Sequence, residues 1–287
     1  MAIAAIKRSK SVNKIVSAAL AVAALMLSAS AAAEDYLFPT DIVPVGESDL
    51  DATIATTQAR YDFVRPSGAV GTRDFDTVTE SATVRAGIVD NLHAGVTLPY
   101  TSVSKDTDSI NGTTGSRSRS GFDDMDLWVR YRFINDRDFA LAGTLGILPN
   151  TAGRQNDWRA HGGLAAGWAI APGARAYVSY AAVIASDSAD RSSHTIAAGA
   201  YLAQSDAWTW VPSVHYRYLP SDDTLTSQSQ AGLDLAAHWA VGRATEIIPG
   251  VGLAWWGSVA NGRTQFDSTD YVWSATLSLY HVFGGRS

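Results

Sequence analysis

The sequence predicts an all-β chain that folds into a twelve-stranded antiparallel transmembrane β-barrel of the bacterial outer membrane. Three observations support this. Apolar and polar residues alternate with a period of two along most of the chain. Short turns alternate with longer polar loops, as in outer-membrane barrels. Tryptophans gather near the ends of the predicted strands.

The composition excludes several other classes of protein. The chain has 287 residues, of which 46% are hydrophobic, enough for a stable fold. It has no Cys, which excludes disulfides, thiolate metal sites and cysteine nucleophiles. Its formal charge is -6 and its basic residues form no cluster, so we expect no nucleic acid among its partners.

Residues 1–33 are predicted to be a cleaved signal peptide. Four basic residues between Lys7 and Lys14 precede an uncharged run at 15–27 and small residues at 28–33. A membrane anchor is the alternative, but the apolar run is shorter than the roughly 20 residues that a spanning helix needs. The exported chain would begin near Glu34, with 18 of the 22 basic residues and all 28 acidic ones.

Residues 34–48 are predicted to be a periplasmic leader or a plug segment. Tyr36, Leu37 and Phe38 precede two prolines and could insert into a barrel. A plain periplasmic tail is the alternative.

The barrel itself is predicted over residues 49–283. In one example, Met125, Leu127 and Val129 share a parity, while Asp124 and Asp126 share the other. Such runs predict strands at 49–65, 75–89, 91–103, 122–134, 137–149, 158–171, 174–187, 193–204, 207–219, 229–242, 244–258 and 270–283.

The predicted connections alternate in length. Short turns, such as Asp90-Asn91 and Pro172-Gly173, follow the even strands, and longer polar loops, including 104–121 and 259–269, follow the odd ones. The loop at 104–121 could narrow the lumen, bind lipopolysaccharide phosphates or simply be solvated.

Tryptophan positions favour a membrane barrel over a soluble all-β fold. Trp158 and Trp168 are ten residues apart on the apolar parity. That is about 33 Å along a strand, and with tilt about 25 Å along the membrane normal, which matches the distance between aromatic girdles. The predicted girdle residues are Trp158, Trp168, Trp208, Trp210, Trp239, Trp255 and Trp273.

The last predicted strand ends at Phe283, close to the C-terminus. This placement resembles the terminal aromatic signal that the barrel-assembly machinery reads. Residues 284–287 extend past it as a tail, and His281 stands where an aromatic residue is usual.

Fifteen residues of the inward parity are the candidates for lumen lining and solute binding. Both charge signs are present, so buried charges can pair. One interpretation is a salt-bridge network that fills a narrow lumen, and the other is a polar-walled passage. The candidates are Arg85, His93, Asp124, Asp126, Arg130, Arg132, Arg159, His161, Arg175, Tyr177, His215, Arg217, Asp234, His238 and Glu246.

No cofactor, metal site or catalytic residue is predicted. The inward histidines form no closely spaced pair of metal ligands. A lipid hydrolase is the enzyme alternative, but the sequence has neither a G-x-S-x-G elbow nor a His-x-Ser pair. We therefore expect that the protein is not an enzyme.

Three segments resemble the phenol-degradation meta-pathway outer-membrane proteins, a family of transporter-like barrels. They are GIVDNLHAGVTLPY at 87–100, GFDDMDLWVRYRF at 121–133 and GILPNTAG at 146–153, and the resemblance is best over about residues 75–155. A Leu-Pro-Thr-Gly turn of the family is replaced by Leu148-Pro149-Asn150-Thr151-Ala152-Gly153. The resemblance implies aromatic or hydrophobic solutes.

We expect a passive, substrate-selective channel for small solutes, since a twelve-stranded barrel has a narrow lumen. The alternative is a barrel without transport that serves as a structural or surface-interaction protein. The expected partners are outer-membrane lipid, lipopolysaccharide, the barrel-assembly machinery and a small-molecule solute, and the chain is expected to be a monomer.

Overall fold

The fold is a closed antiparallel β-barrel, seen in a computed structural model that describes residues 38–64, 67–110, 113–152, 158–186, 192–221, 226–261 and 264–284. Within these ranges no helix is long and apolar enough to cross a membrane. The predicted signal peptide, the start of the leader and residues 285–287 of the tail lie outside the described residues.

Fourteen strands make up the sheet of the described residues. Their bounds are β1 Ser48–Val64, β2 Val70–Val89, β3 Leu92–Ile110, β4 Thr113–Phe122, β5 Asp126–Asn135, β6 Phe139–Leu148, β7 Arg159–Ala171, β8 Ala174–Ala185, β9 Ser193–Ser205, β10 Trp208–Leu219, β11 Gln228–Ala240, β12 Thr245–Trp256, β13 Val259–Asn261 and β14 Thr264–Phe283.

The strands close into a ring. The pairing runs β1-β2-β3-β5-β6-β7-β8-β9-β10-β11-β12-β14, and β14 returns to β1 with Ser48 opposite Phe283. The two remaining strands are additions to this ring: β4 pairs with the distal part of β3, and β13 pairs with β14. Every pairing in the ring is antiparallel and joins neighbours along the wall, so the barrel has no free edge.

The predicted count of twelve strands is therefore wrong for the described residues, which contain fourteen. The additional strands lie in the segments predicted to be loops, 104–121 and 259–269. Residues 113–120 of β4 are all exposed and mostly polar. Beyond the apolar band both faces of a strand meet water, so the alternation that reveals a strand disappears there.

The wall carries its large apolar side chains outside and its charged side chains inside, the reverse of a soluble protein. Large apolar side chains point outward and are exposed, as Leu145 is at 69%. Small residues such as Ala142, at 1%, and charged residues such as Asp49, at 0%, are buried inside. An apolar exterior around a polar interior is the pattern of a barrel whose wall faces lipid.

The predicted girdle tryptophans lie on the outer face at both ends of the barrel. Trp208 stacks on Trp239 at 5.5 Å between ring centres, at the end with the short turns, and Trp168 lies at the same end. Trp158 and Trp255 are exposed at the opposite end. Trp273 is half-buried and its Nε1 donates to Gln58 Oε1 at 3.1 Å.

Candidate functional site

The inner wall brings its charged residues together in pairs across neighbouring strands. Arg85 of β2 lies opposite Asp49 of β1, and Arg85 Nε is 2.6 Å from Asp49 Oδ1. The Tyr280 hydroxyl of β14 donates to the other Asp49 oxygen at 3.1 Å. Because both charges are buried, this pairing offsets part of the cost of placing them inside the barrel.

Three inward histidines each contact a carboxylate. His161 Nε2 is 2.8 Å from Asp126 Oδ1, His215 Nδ1 is 2.7 Å from Asp234 Oδ2, and His238 Nδ1 is 3.0 Å from Glu246 Oε2. The three pairs do not form one cluster, although Asp234 and His238 both lie on β11. The described residues contain no group of three or more His, Asp or Glu that could hold a metal ion.

His93 is the buried centre of an arginine-rich region near the short turns. It lies opposite Arg130 of β5 and packs edge-on against Trp128, with ring centres 5.3 Å apart. Its Nδ1 accepts the Val43 N–H at 3.0 Å. Arg132, two residues along β5, donates to Asn91 Oδ1 at 3.3 Å.

Three other predicted residues lie at the loop end of the wall. Arg159 Nη2 is 3.3 Å from Asp124 Oδ2, and the other Asp124 oxygen accepts the Ala152 N–H at 3.0 Å. Arg217 lies across from Thr195 of β9 and Gln230 of β11. The fifteen candidates therefore lie in several groups at different heights.

Residues 38–43, which precede β1, lie inside the short-turn end of the barrel. We call them the inner segment. Phe38 is 1% exposed and packs against Tyr177 and Tyr201, with ring centres 5.8 and 4.9 Å away. The Arg175 guanidinium carbon lies 3.8 Å from the centre of the Phe38 ring. Val43, fully buried, packs against Tyr280 and Val282 of β14.

Asp41 ties the inner segment to the wall through a two-pronged ion pair with Arg175. Its two carboxylate oxygens accept from Arg175 Nη1 and Nη2 at 3.2 and 3.1 Å. Burial raises the pKa of the Asp41 carboxyl, and the hydrogen bond and charge of Arg175 oppose that rise.

A cavity of about 350 Å³ lies beside the inner segment. It is lined by Pro39 of the inner segment, by Trp128 and Arg130 of β5, and by Gly163 and Ala165 of β7. A second cavity, of about 630 Å³, lies between the inner segment and the short-turn rim, next to Arg132 and Arg175.

Several residues of this site are not among the fifteen predicted candidates. Trp128 has the inward parity of Asp126 and Arg130, which could have identified it. Asp49 and Asp51 open the first predicted strand on its inward parity. Asp41 had no periodic signal, because it precedes the first strand, and Phe38 was predicted only as part of a leader that could insert into the barrel.

Comparison with known proteins supports the fold alone. No protein-family model and no curated protein matches the chain. Among solved structures, the COG4313 outer membrane channel from Pseudomonas putida F1 is similar at 13% identity, covering 87% of this chain and 100% of the other with a TM-score of 0.61. The KdgM porin in complex with disordered oligogalacturonate matches at 6% identity, 80% and 99% coverage and a TM-score of 0.49. A Pseudomonas aeruginosa FadL homologue matches at 9% identity, 88% and 96% coverage and a TM-score of 0.44.

The first of these is an outer-membrane channel, and the likeness to it shows that the chain has the closed antiparallel fold of such a barrel. The comparisons do not confirm the phenol-degradation family that the sequence segments resemble.

Proposed function

We propose that this protein is an outer-membrane channel that admits small solutes through a narrow, selective lumen. The observation that carries the proposal is the asymmetry of the inner wall. Charged and aromatic side chains line β5, whereas Gly163 and Ala165 of the nearby β7 and Ala181 of β8 are small, and a cavity of about 350 Å³ lies along these residues. A wall built only for stability would fill this space with side chains.

The inward charges are proposed to select among solutes. The carboxylates of Asp126 and Asp234 are hydrogen-bonded to histidines, and Arg130 and Arg132 are proposed to attract an anion. The resemblance to the phenol-degradation family adds aromatic or hydrophobic molecules as candidate solutes.

We also propose how the protein reaches the outer membrane and what it contacts there. Residues 1–33 would direct export, the barrel-assembly machinery would insert the chain, and the outer tryptophans would hold a monomer at the two lipid interfaces. Exposed Arg117 of β4 is available to lipopolysaccharide phosphates.

The second candidate function is a barrel without transport, and one observation favours it. The inner segment fills the short-turn end of the lumen, with Phe38 and Val43 almost fully buried. If this segment never moves, the barrel conducts nothing.

Recordings in planar lipid bilayers separate the two functions. The purified protein should give discrete current steps, and Phe38→Ala should give larger or more frequent ones, because it loosens the inner segment. A complete lack of current from both proteins, with the barrels shown to be folded by their heat-dependent migration on gels, would favour the structural barrel.

A further inference from the structure

One tryptophan lies inside the barrel next to the cavity. Trp128 faces inward from β5, between Gly95 of β3 and Gly146 of β6. A methyl group on Gly95 would overlap the Trp128 indole, and one on Gly146 would lie 2.7 Å from Trp128 Cβ. Gly95 therefore makes room for the indole against the wall, while Gly146 makes room mainly for the His161 ring. The Trp128 Nε1 donates weakly to Thr97 Oγ1 at 3.4 Å.

Arg130 lies beside this ring with hydrogen-bonding capacity to spare. Its Nε donates to Thr144 Oγ1 at 3.0 Å, and its guanidinium carbon is 5.5 Å from the centre of the Trp128 ring. Unlike Arg85, Arg159 and Arg175, it has no carboxylate within ion-pair distance in the part of the chain that the structure describes.

The cavity places these two groups beside small residues of nearby strands in the same stretch of wall. It is lined by Trp128 and Arg130 of β5 and Thr144 of β6, and next to them by Ser179 and by small residues such as Ala165 of β7 and Ala181 of β8. Asp126 also borders the cavity, and its Oδ1 is hydrogen-bonded to His161 Nε2 at 2.8 Å. Its volume of about 350 Å³ is at the lower end of the range of about 300–1,000 Å³ for small-molecule sites.

We propose that this cavity binds a small carboxylate with a flat, apolar body, an arenecarboxylate of benzoate size. Its carboxylate would accept hydrogen bonds from Arg130, because guanidinium pairs with carboxylates in planar geometry. Its ring would lie against Trp128, and the small residues of β7 and β8 would leave room for it. The site rests on the proposed channel function, as a selective station along the lumen.

Calorimetric titration of the detergent-solubilised full protein tests the site with three matched probes. Benzoate should bind saturably, benzamide should bind at least tenfold more weakly because it lacks the charge, and cyclohexanecarboxylate should bind more weakly because its body is not flat. Equal affinity for benzoate and benzamide would overturn the proposal.

Variants assign the binding to Arg130. Arg130→Gln should weaken benzoate at least tenfold, while Arg130→Lys should lose less because it keeps the charge. Trp128→Leu should abolish the preference for benzoate over cyclohexanecarboxylate. Arg137→Gln, on the exposed turn of the same hairpin, is the matched control and should bind benzoate like the unaltered protein. Unchanged benzoate affinity in Arg130→Gln would sink the proposal.

Current recordings in bilayers distinguish a failure of the benzoate site from a failure of the channel function. Current without benzoate binding overturns the carboxylate site and leaves the channel standing. Saturable benzoate binding that depends on Arg130 supports the site, even if the protein carries no current and the channel itself fails.

Discussion

At the scale of single residues, the interior depends on glycines that make room for rings. Gly167 of β7 faces Phe38, and a methyl group at this position would overlap the Phe38 ring. The methyl group would collide with Phe38 Cε1 and lie 2.8 Å from Phe38 Cζ, so the ring would have to move.

Gly167→Ala should therefore displace Phe38 from Tyr177 and Tyr201 and expose the inner segment. The chain has no Cys, so a single Thr40→Cys substitution can report the change, because Thr40 is fully buried. We expect a membrane-impermeant maleimide to label Cys at this position several-fold faster when Gly167→Ala is also present.

The matched control is Gly242→Ala, because a methyl group there meets nothing within 4 Å. It should leave the labelling rate unchanged. Equal rates with Gly167→Ala and Gly242→Ala would show that Phe38 does not occupy this position in the membrane.

At the scale of elements, two kinds of contact hold the inner segment, and their magnitudes differ. Burying Phe38 is worth about 1.5–3 kcal/mol. The Asp41–Arg175 pair is partly solvated, with side chains 14% and 44% exposed, and such pairs are worth about 0–1 kcal/mol. The apolar contact should therefore dominate.

Phe38→Ala should shift the docking of the inner segment by roughly tenfold or more, and Asp41→Asn by about fivefold at most. The measurement is the fraction of time that single channels spend open in a bilayer. A larger effect from Asp41→Asn than from Phe38→Ala would mean that the ion pair, and not the ring, holds the segment.

The apolar and polar alternation of the sequence predicted some strands and not others. Alternation predicted the strands within the apolar band, because there one face meets lipid and the other the lumen. It failed for β4, where Arg117, Ser118 and Arg119 are all exposed. Parity likewise indicated which residues point inward, but pairs such as His161 and Asp126, which are two strands apart, depend on the register of the whole wall.

At the scale of the whole molecule, closure makes the barrel independent of its lumen contents. β1 and β14 pair along most of their length, and Thr53 Oγ1 lies 2.6 Å from Ser278 Oγ across this seam. With every ring strand paired on both sides, loosening the inner segment leaves the wall intact. Changes in current can then be separated from unfolding.

The outer wall yields a prediction about where the molecule lies. Bromine atoms on lipid acyl chains quench tryptophans that they contact, so the outward Trp239, 41% exposed, should be quenched in vesicles of brominated lipid, whereas the inward Trp128 should not. The chain has nine tryptophans, so each contribution is found by substitution. Trp239→Phe should remove fluorescence that brominated lipid quenches. Trp128→Phe should remove only fluorescence that brominated lipid does not quench. Vesicles of unbrominated lipid supply the reference intensity for each variant. If brominated lipid quenched none of the fluorescence, the outer wall would not face acyl chains and the membrane barrel would be wrong.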